Sequence, residues 1–322
     1  MSTEHASPGA EPPWPPRTLA VVVAMVLALV AVGAAVTAAS AGPGAAATTP
    51  ASRGYVALGD SFTSGPAIPP QLSPTTSPPA PRACQRSSAN YPSIAAKALG
   101  LRLTDVSCGG ATTADLTGSQ EVGIPPQLDA LHRSTSLVTV GIGGNDLGFS
   151  SIAVNCAAYT PQGPTRVGRS CRAYYTSGGT DRLAVAAELV GTKVAAVLRD
   201  VRARAPDARV LVIGYPDIVP QAGPGCWPAV PFSAGDLVYL QGVESDLNRI
   251  LKSQALAAHD GYVDMATPSS AHNPCSPPAT RWVEPVFDSV GSFPLHPGAT
   301  GMAGMANVLV GVVRRQGFGR SR

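Results

Sequence analysis

Two side chains in this sequence have the pairing that acyl chemistry needs: a serine able to attack a carbonyl and a histidine able to take its proton. The serine is Ser61, in Gly59-Asp60-Ser61-Phe62-Thr63-Ser64-Gly65, directly after the apolar run Tyr55-Val56-Ala57-Leu58. A serine hydroxyl is a weak nucleophile unless a base sits beside it. The histidine is His296, in Leu295-His296-Pro297-Gly298-Ala299-Thr300-Gly301. Imidazole titrates near neutral pH and is the commonest general base. Each signal is ambiguous alone. Gly-Asp-Ser is also an ordinary turn after a strand. The Gly-x-Ser-x-Gly signature of a nucleophile elbow is absent, because Phe62-Thr63 follow the serine. An isolated loop histidine is more often a surface residue. Of the others, His5 precedes the domain, His132 reads as a surface residue and His259 sits at a helix end. His272, in a loop, is the serious rival.

Two further blocks could stabilise the charge that develops on an attacked carbonyl. Gly143-Gly144-Asn145-Asp146 offers the Asn145 side-chain N–H₂, and Cys108-Gly109-Gly110-Ala111-Thr112-Thr113 offers glycine backbone N–H groups. Donors of this kind form oxyanion holes, and losing one typically costs about 10²–10³ in kcat. The plain alternatives are a capping Asn in the first block and a turn beside a structural cysteine in the second.

These blocks need a scaffold that brings them together. Apolar runs at Tyr55–Leu58, Leu101–Val106, Leu137–Ile142, Arg209–Gly214 and Tyr262–Asp264 read as strands. Helical patterns lie over Tyr91–Leu99, Asp181–Ala205, Asp236–His259 and Pro297–Val313, with Pro297 expected in the first turn of the last. The alternation predicts a mostly parallel five-stranded sheet with helices on both faces, and continuous apolar strands fit a sheet covered on both sides. In such sheets ligands bind at the carboxyl ends of the strands. Ser61, Gly110 and Asn145 all follow strand ends. The stretches 63–90, 147–180, 215–235 and 265–295 are rich in Pro, Gly and Ser and poor in strand signals.

The first 41 residues read as a targeting segment. A polar, Pro-rich stretch ends at Arg17, an apolar run of 18 residues spans Leu19 to Val36, and Ala39-Ser40-Ala41 fits a signal-peptidase site. A cleaved signal is the preferred reading. An uncleaved membrane anchor is the alternative, since the run falls just short of the roughly 20 residues a spanning helix needs and Glu4 and Glu11 weaken the positive flank. Residues 42–52 read as a linker, 53–316 as the domain and 317–322 as a tail. Export would permit disulfides, and the six cysteines all lie beyond the expected cleavage point with no CxxC pair to suggest zinc. Of fifteen possible connectivities, nearest-neighbour pairing is the simplest: Cys84–Cys108, Cys156–Cys171 and Cys226–Cys275. Six buried free thiols are the alternative.

Composition excludes some classes. Charged residues are 13% of the chain, net charge is +3 and aromatics are 5%, with no Lys/Arg run, so nucleic acid is not an expected partner. No glycine fingerprint for phosphates appears, and neither a metal nor an organic cofactor is expected. A monomer acting on a small-molecule or lipid ester is expected.

Taken together, the order Ser61, Gly110, Asn145, His296 resembles the GDSL/SGNH hydrolase superfamily, and is most similar to the actinobacterial secreted esterases and lipases with three disulfides. The resemblance covers about residues 53–316. It implies a three-layer α/β/α sandwich of flavodoxin-like strand order. It implies that Ser61 attacks the ester and that His296 takes its proton. The oxyanion would be bound by the Ser61 N–H, the Gly110 N–H and the Asn145 side chain. One departure stands out. Many members place an Asp three residues before the histidine, where this chain has Phe293. A Ser–His dyad is therefore expected, with the Phe293 carbonyl accepting from His296 Nδ1–H and Asp288 as the alternative orienting group. A carbohydrate acetylesterase, a phospholipase and a non-catalytic binding protein are the competing readings. The last predicts loss of at least one of the four residues, and all are present. Phe62, Leu147, Phe149, Ile152, Trp227 and Phe232 are candidates to line an acyl pocket, or simply to anchor their loops.

Overall fold

The computed structural model describes residues 53–159, 170–220 and 225–317. The expected leader and linker, and nearly all of the tail, lie outside these residues. Five strands, β1 (Gly54–Gly59), β2 (Arg102–Asp105), β3 (Thr135–Gly141), β4 (Arg209–Ile213) and β5 (Gly261–Val263), form one parallel sheet in the order β2-β1-β3-β4-β5. The first helices are α1 (Ser61–Ser64), α2 (Tyr91–Leu99), α3 (Ala114–Thr117), α4 (Gly144–Leu147) and α5 (Phe149–Tyr159). They are followed by α6 (Ser170–Tyr175), α7 (Arg182–Arg204), α8 (Ala234–Ala257), α9 (Ala266–Ser269) and α10 (Ala299–Arg315).

Successive side chains of a strand point to opposite faces. Val56, Leu58, Val138, Val140, Val210 and Val212 join one buried cluster with residues of α7 and α8. Tyr55, Ala57, Leu137, Leu211 and Ile213 join a second with residues of α2 and α10. Apolar residues at consecutive strand positions are thus explained by cover on both faces, and the three layers follow. Strand β2 departs from the expected continuous apolar run. Arg102, Leu103, Thr104 and Asp105 alternate between exposed and half-buried, because β2 is the sheet edge.

Helix ends follow their caps. Asn90 accepts from the Ser93 N–H at 3.1 Å to start α2, and Asp181 accepts from Leu183 at 2.9 Å to start α7. Side-chain caps of this kind contribute about 1 kcal/mol each. Helix α8 begins two residues before Asp236 because Ser233 caps it, accepting from the Asp236 N–H. Helix α10 begins later than the sequence suggests. Pro297 does not occupy its first turn, since Gly298 is the N-cap. The backbone around Pro297 is instead engaged in an antiparallel bridge to Val283, with Glu284 N–H donating to the His296 carbonyl at 2.9 Å and Gly298 N–H to the Trp282 carbonyl at 2.9 Å.

The structure joins Cys84 to Cys108, Cys156 to Cys171 and Cys226 to Cys275. They close loops of 24, 15 and 49 residues. Loop closure of that size restricts the unfolded chain by about 3–4 kcal/mol per bridge. The first bridge ties the 63–90 loop to the segment just before Gly110. The second joins α5 to α6, and the third joins the loop after β4 to the one leading to His296.

Candidate active site

Strand β1 lies between β2 and β3, so the segments that leave their carboxyl ends run side by side. Backbone bonds stitch the three together: Cys108 N–H donates to the Gly59 carbonyl at 3.0 Å, and Asp60 N–H to the Gly141 carbonyl at 3.0 Å. The Asn145 side chain donates to the Ala111 carbonyl at 2.9 Å, and Thr113 binds the Asp146 carboxylate through both its N–H and its hydroxyl. These bonds put the blocks carrying Ser61, Gly110 and Asn145 along one edge of the sheet. Gly59 is required where β1 turns into α1. A Cβ there would sit 2.2 Å from Thr63 Oγ1 and 2.7 Å from the Gly141 carbonyl oxygen. Gly110 has φ +77°, a left-handed conformation that costs glycine little and other residues more.

Ser61 is the first residue of α1 and is buried, with Asp60 as N-cap accepting from the Phe62 N–H at 2.9 Å. The Ser61 N–H has no acceptor within so short a helix, because the first donors of a helix never do. His296 Nε2 lies 2.9 Å from Ser61 Oγ. The histidine reaches it from a tight loop. Leu295 has φ +58°, a strained setting for a branched residue that costs on the order of 1–3 kcal/mol. The loop is held by bonds on both flanks: Leu295 N–H to the Glu284 carbonyl at 3.0 Å, and the buried Ser292 hydroxyl to the Pro297 carbonyl at 2.8 Å. A buried Arg281–Glu284 ion pair sits at its base, and Glu284 also accepts from the Val290 N–H. The ring packs against Phe62, with centroids 4.9 Å apart.

The acceptor at the other ring nitrogen corrects the expectation from the sequence. Nδ1 is 2.8 Å from the carbonyl of Pro294, not that of Phe293. The Phe293 carbonyl instead accepts the His296 backbone N–H at 3.1 Å, closing a turn. That turn leaves the next carbonyl free to face the ring. Asp288 is exposed, and its main-chain carbonyl accepts from Arg281. With Pro294 at Nδ1, the single N–H of that nitrogen already has its acceptor. His272, the rival base, has its Nδ1 2.8 Å from the Thr280 carbonyl and its ring stacked on Trp282. Burial pushes the His296 imidazole below its ordinary value, partly opposed by the Pro294 carbonyl.

Two residues that the sequence did not flag hold the machinery in place. The Gln127 side chain clamps Gly59, accepting its N–H at 2.8 Å and donating to its carbonyl at 2.9 Å. The Tyr215 hydroxyl donates to Asp60 and accepts the Gly144 N–H at 2.8 Å, so it bridges the serine block to the asparagine block. Burial raises the Asp60 carboxyl to about 7 despite that bond. Tyr215 follows the end of β4, so extending the strand-end argument to the fourth strand would have found it. Gln127 opens a short 3₁₀ turn over Gln127–Ala130, away from any strand end, and carries no such signal.

Beside His296 opens a cavity of about 470 Å³, walled by Phe62, Phe149, Ile152, Val219, Phe232 and Leu240 among others. Four of the six proposed lining residues are there. Leu147 and Trp227 are not among its walls. Helix α5 and the loop after β4 form much of the wall, and Cys156 and Cys226, each in a disulfide, lie on these two segments.

Comparison with known proteins agrees with this fold. The chain is 42% identical over 258 residues to "Lipase 2" of Streptomyces coelicolor, covering 78% of this chain and 83% of that one. It is 30% identical to a Streptomyces rimosus lipase over 77% of this chain and 82% of the other. A crystal structure of phospholipase A1 from Streptomyces albidoflavus superposes with a TM-score of 0.65 at 29% identity, covering 80% of this chain and 98% of that one. An extracellular lipase from Streptomyces rimosus superposes with a TM-score of 0.63 at 27% identity, again over 80% of this chain and 98% of that one. A family model matches residues 57–303, and the chain belongs to the GDSL-like Lipase/Acylhydrolase family of ester hydrolases.

Proposed function

We propose that this chain is an exported lipase-type esterase that seats the acyl chain of its ester in the apolar cavity and forms an acyl-Ser61 intermediate. The observation that carries the reading is the cavity itself: about 470 Å³, nearly all apolar, with His296 in its wall. That size lies within the roughly 300–1,000 Å³ of small-molecule sites. It is far more apolar than an acetyl group on a sugar needs. Three disulfides and the apolar leader support export. Among the described residues no helix is long and apolar enough to cross a membrane. The similarity to a phospholipase A1 makes diacyl phospholipid the second substrate to try. The exposed apolar residues Val154, Phe287, Val290 and Phe293, on α5 and on the loop that carries His296, suit an amphiphilic substrate.

In this reading Ser61 Oγ attacks the ester carbonyl while His296 Nε2 takes its proton. The imidazolium that forms keeps its Nδ1–H on the Pro294 carbonyl. The Ser61 N–H, Gly110 N–H and Asn145 side chain receive the oxyanion. As the intermediate collapses, His296 returns the proton to the leaving alcohol, and water repeats the sequence on the acyl-enzyme. The test is hydrolysis of p-nitrophenyl esters of increasing chain length, and of a phosphatidylcholine, beside a Ser61→Ala control. Medium or long chains should exceed acetate. Equal hydrolysis by wild type and control would end the enzyme mechanism, and acetate-only activity would favour a carbohydrate acetylesterase.

The pH profile tests the dyad. A base whose pKa is lowered stays neutral, and so competent, to more acidic pH. The kcat/KM curve should therefore rise to half its maximum below pH 6.5, the ordinary histidine value. An orienting carboxylate would favour the imidazolium and move the midpoint the other way. A midpoint above 7 would contradict the dyad.

Tyr215→Phe should lower kcat about tenfold with KM within twofold. It leaves the Asp60 oxygen and the Gly144 N–H unpaired in a buried setting, which costs about 1–3 kcal/mol for such a group. The Asn145 turn loses its tether at the same time. Thermal melts and steady-state kinetics together would check it, and a melt that drops with kcat intact would make Tyr215 merely structural.

A further inference from the structure

The loop that carries His296 turns several apolar side chains toward solvent. Both of its ends wall the acyl cavity, Val286 at one and Pro294 with Leu295 at the other. Between them Phe287 is 55% exposed, Val290 74% and Phe293 39%. On α5, Val154 is 67% exposed and also lines the cavity, so it stands at the mouth. Phe293 stands there too, its ring edge-on to the His296 ring with centroids 6.1 Å apart. Scattered singly, exposed apolar residues need no explanation, but a cluster around one opening does. Slack backbone is not the reason. The Val286 and Phe287 N–H groups donate to the Ala229 carbonyl at 2.9 and 3.0 Å. The Val290 N–H donates to the buried Glu284 carboxylate at 3.1 Å, and the Ser289 hydroxyl to the Pro285 carbonyl at 2.6 Å. The loop is pinned with these side chains outside. Charge is nearly missing as well. Residues 149–159 and 285–295 contain no Lys or Arg and a single acidic residue, the exposed Asp288. Proteins recruited to anionic lipid present clustered Lys and Arg. A rim with one negative charge instead suits a lipid surface of no net charge.

We propose that this rim docks on the surface of a zwitterionic phospholipid layer, with Phe287 and Val290 entering among the lipids and the cavity mouth brought against them. This rests on the acyl chain occupying the cavity, as argued above. The docked layer supplies the ester, and an acyl chain passes from it into the cavity between Val154 and Phe293 without crossing water. Burial of apolar surface, which is non-directional, provides the affinity.

The experiment sediments the exported protein, as recovered from the medium, with phosphatidylcholine vesicles and separately with phosphatidylglycerol vesicles. Every protein in it carries Ser61→Ala, so the lipid stays intact. The parent is compared with Phe287→Ser/Val290→Ser and with Val185→Ser/Leu189→Ser. The second pair removes two exposed apolar side chains from α7, which supplies no residue of the cavity wall. Partition onto phosphatidylcholine should fall about tenfold or more in the rim pair, since one such side chain taken out of water is worth roughly that factor. It should stay within about twofold in the α7 pair, whose side chains lie outside the docked surface. Raising salt from about 0.1 to about 1 M, which shortens the Debye length from about 10 to about 3 Å, should not weaken it. Should the rim pair not fold, Val290→Ser alone serves, with an expected fall of roughly threefold for the smaller side chain. Equal partition by parent and rim variants overturns the proposal. So does binding confined to phosphatidylglycerol and lost with salt. A dimer, seen by sedimentation velocity without lipid, that the rim pair dissolves while vesicle binding is unchanged assigns the rim to a second copy and overturns it too. With Ser61 restored, the rim pair should hydrolyse dissolved p-nitrophenyl butyrate like wild type. If butyrate cleavage depends on Ser61 and partition is flat, the docking alone fails. If it does not depend on Ser61, the mechanism fails, whatever the vesicles show.

Discussion

His296→Ala is expected to lower kcat about 10⁴-fold or more, whereas Asp288→Asn leaves it within about twofold. The first figure follows from removing the only base that, among the described residues, contacts Ser61 Oγ, 2.9 Å away. Members of a nucleophile–base pair act as a unit, so losing one costs nearly what losing both would. A factor of 10⁴ corresponds to about 5.5 kcal/mol of transition-state stabilisation. The second figure follows from where Nδ1 points. Its acceptor is the Pro294 carbonyl at 2.8 Å, a main-chain group that side-chain substitution does not remove. Phe293→Ala and Pro294→Ala should therefore also keep most activity, because each retains its carbonyl. Steady-state kinetics on one p-nitrophenyl ester would measure all four variants. An orienting carboxylate is worth about 10⁴ in a triad. A loss of 10³ or more for Asp288→Asn would mean that the loop rearranges to bring a carboxylate to the ring, and the dyad would be wrong.

The sequence carried the parts of this site that depend on regular elements. Ser61, Gly110 and Asn145 each follow a parallel strand, and strand runs of Val, Leu and Ile announce themselves because both faces are buried. The exception is β2, an edge strand whose residues alternate between exposed and half-buried and so carry a weaker signal. What the sequence could not place were contacts made by irregular backbone. A one-residue difference in which carbonyl meets His296 depends on Leu295 adopting φ +58°, and no side-chain pattern encodes that. The same holds for Pro297. Proline suits a first helical turn, but here the surrounding backbone is committed to the bridge with Val283 that holds the histidine loop. Gln127 acts through a side chain whose partner is distant in sequence: Gly59 lies 68 residues away. Nothing local marks it.

Asn145→Ala should lower kcat by about 10²–10³ while KM moves less than threefold, the signature of a donor used only when the oxyanion forms. The capping role that the sequence left open does not fit the structure. Gly143 is the N-cap of α4 with no side-chain capping bond, and Asn145 lies inside the helix. One N–H of its amide is spent on the Ala111 carbonyl at 2.9 Å, which fixes the side chain between the second and third blocks. The amide carries two such hydrogens, so one remains for the substrate. The neighbouring Asp146, held by Thr113 and Lys193, steadies the short helix from its other side. Truncation would also leave the Ala111 carbonyl without its partner, at about 1 kcal/mol of stability. That loss alone would shift the melting temperature slightly and leave turnover of the folded enzyme intact. Asn145→Asp separates the two roles. It is nearly isosteric but removes the amide donor and brings negative charge to the oxyanion site, so its kcat should fall below that of the alanine variant. If Asn145→Asp matches wild type in kcat, or if Asn145→Ala raises KM without touching kcat, the oxyanion rests on the backbone donors of Ser61 and Gly110 alone.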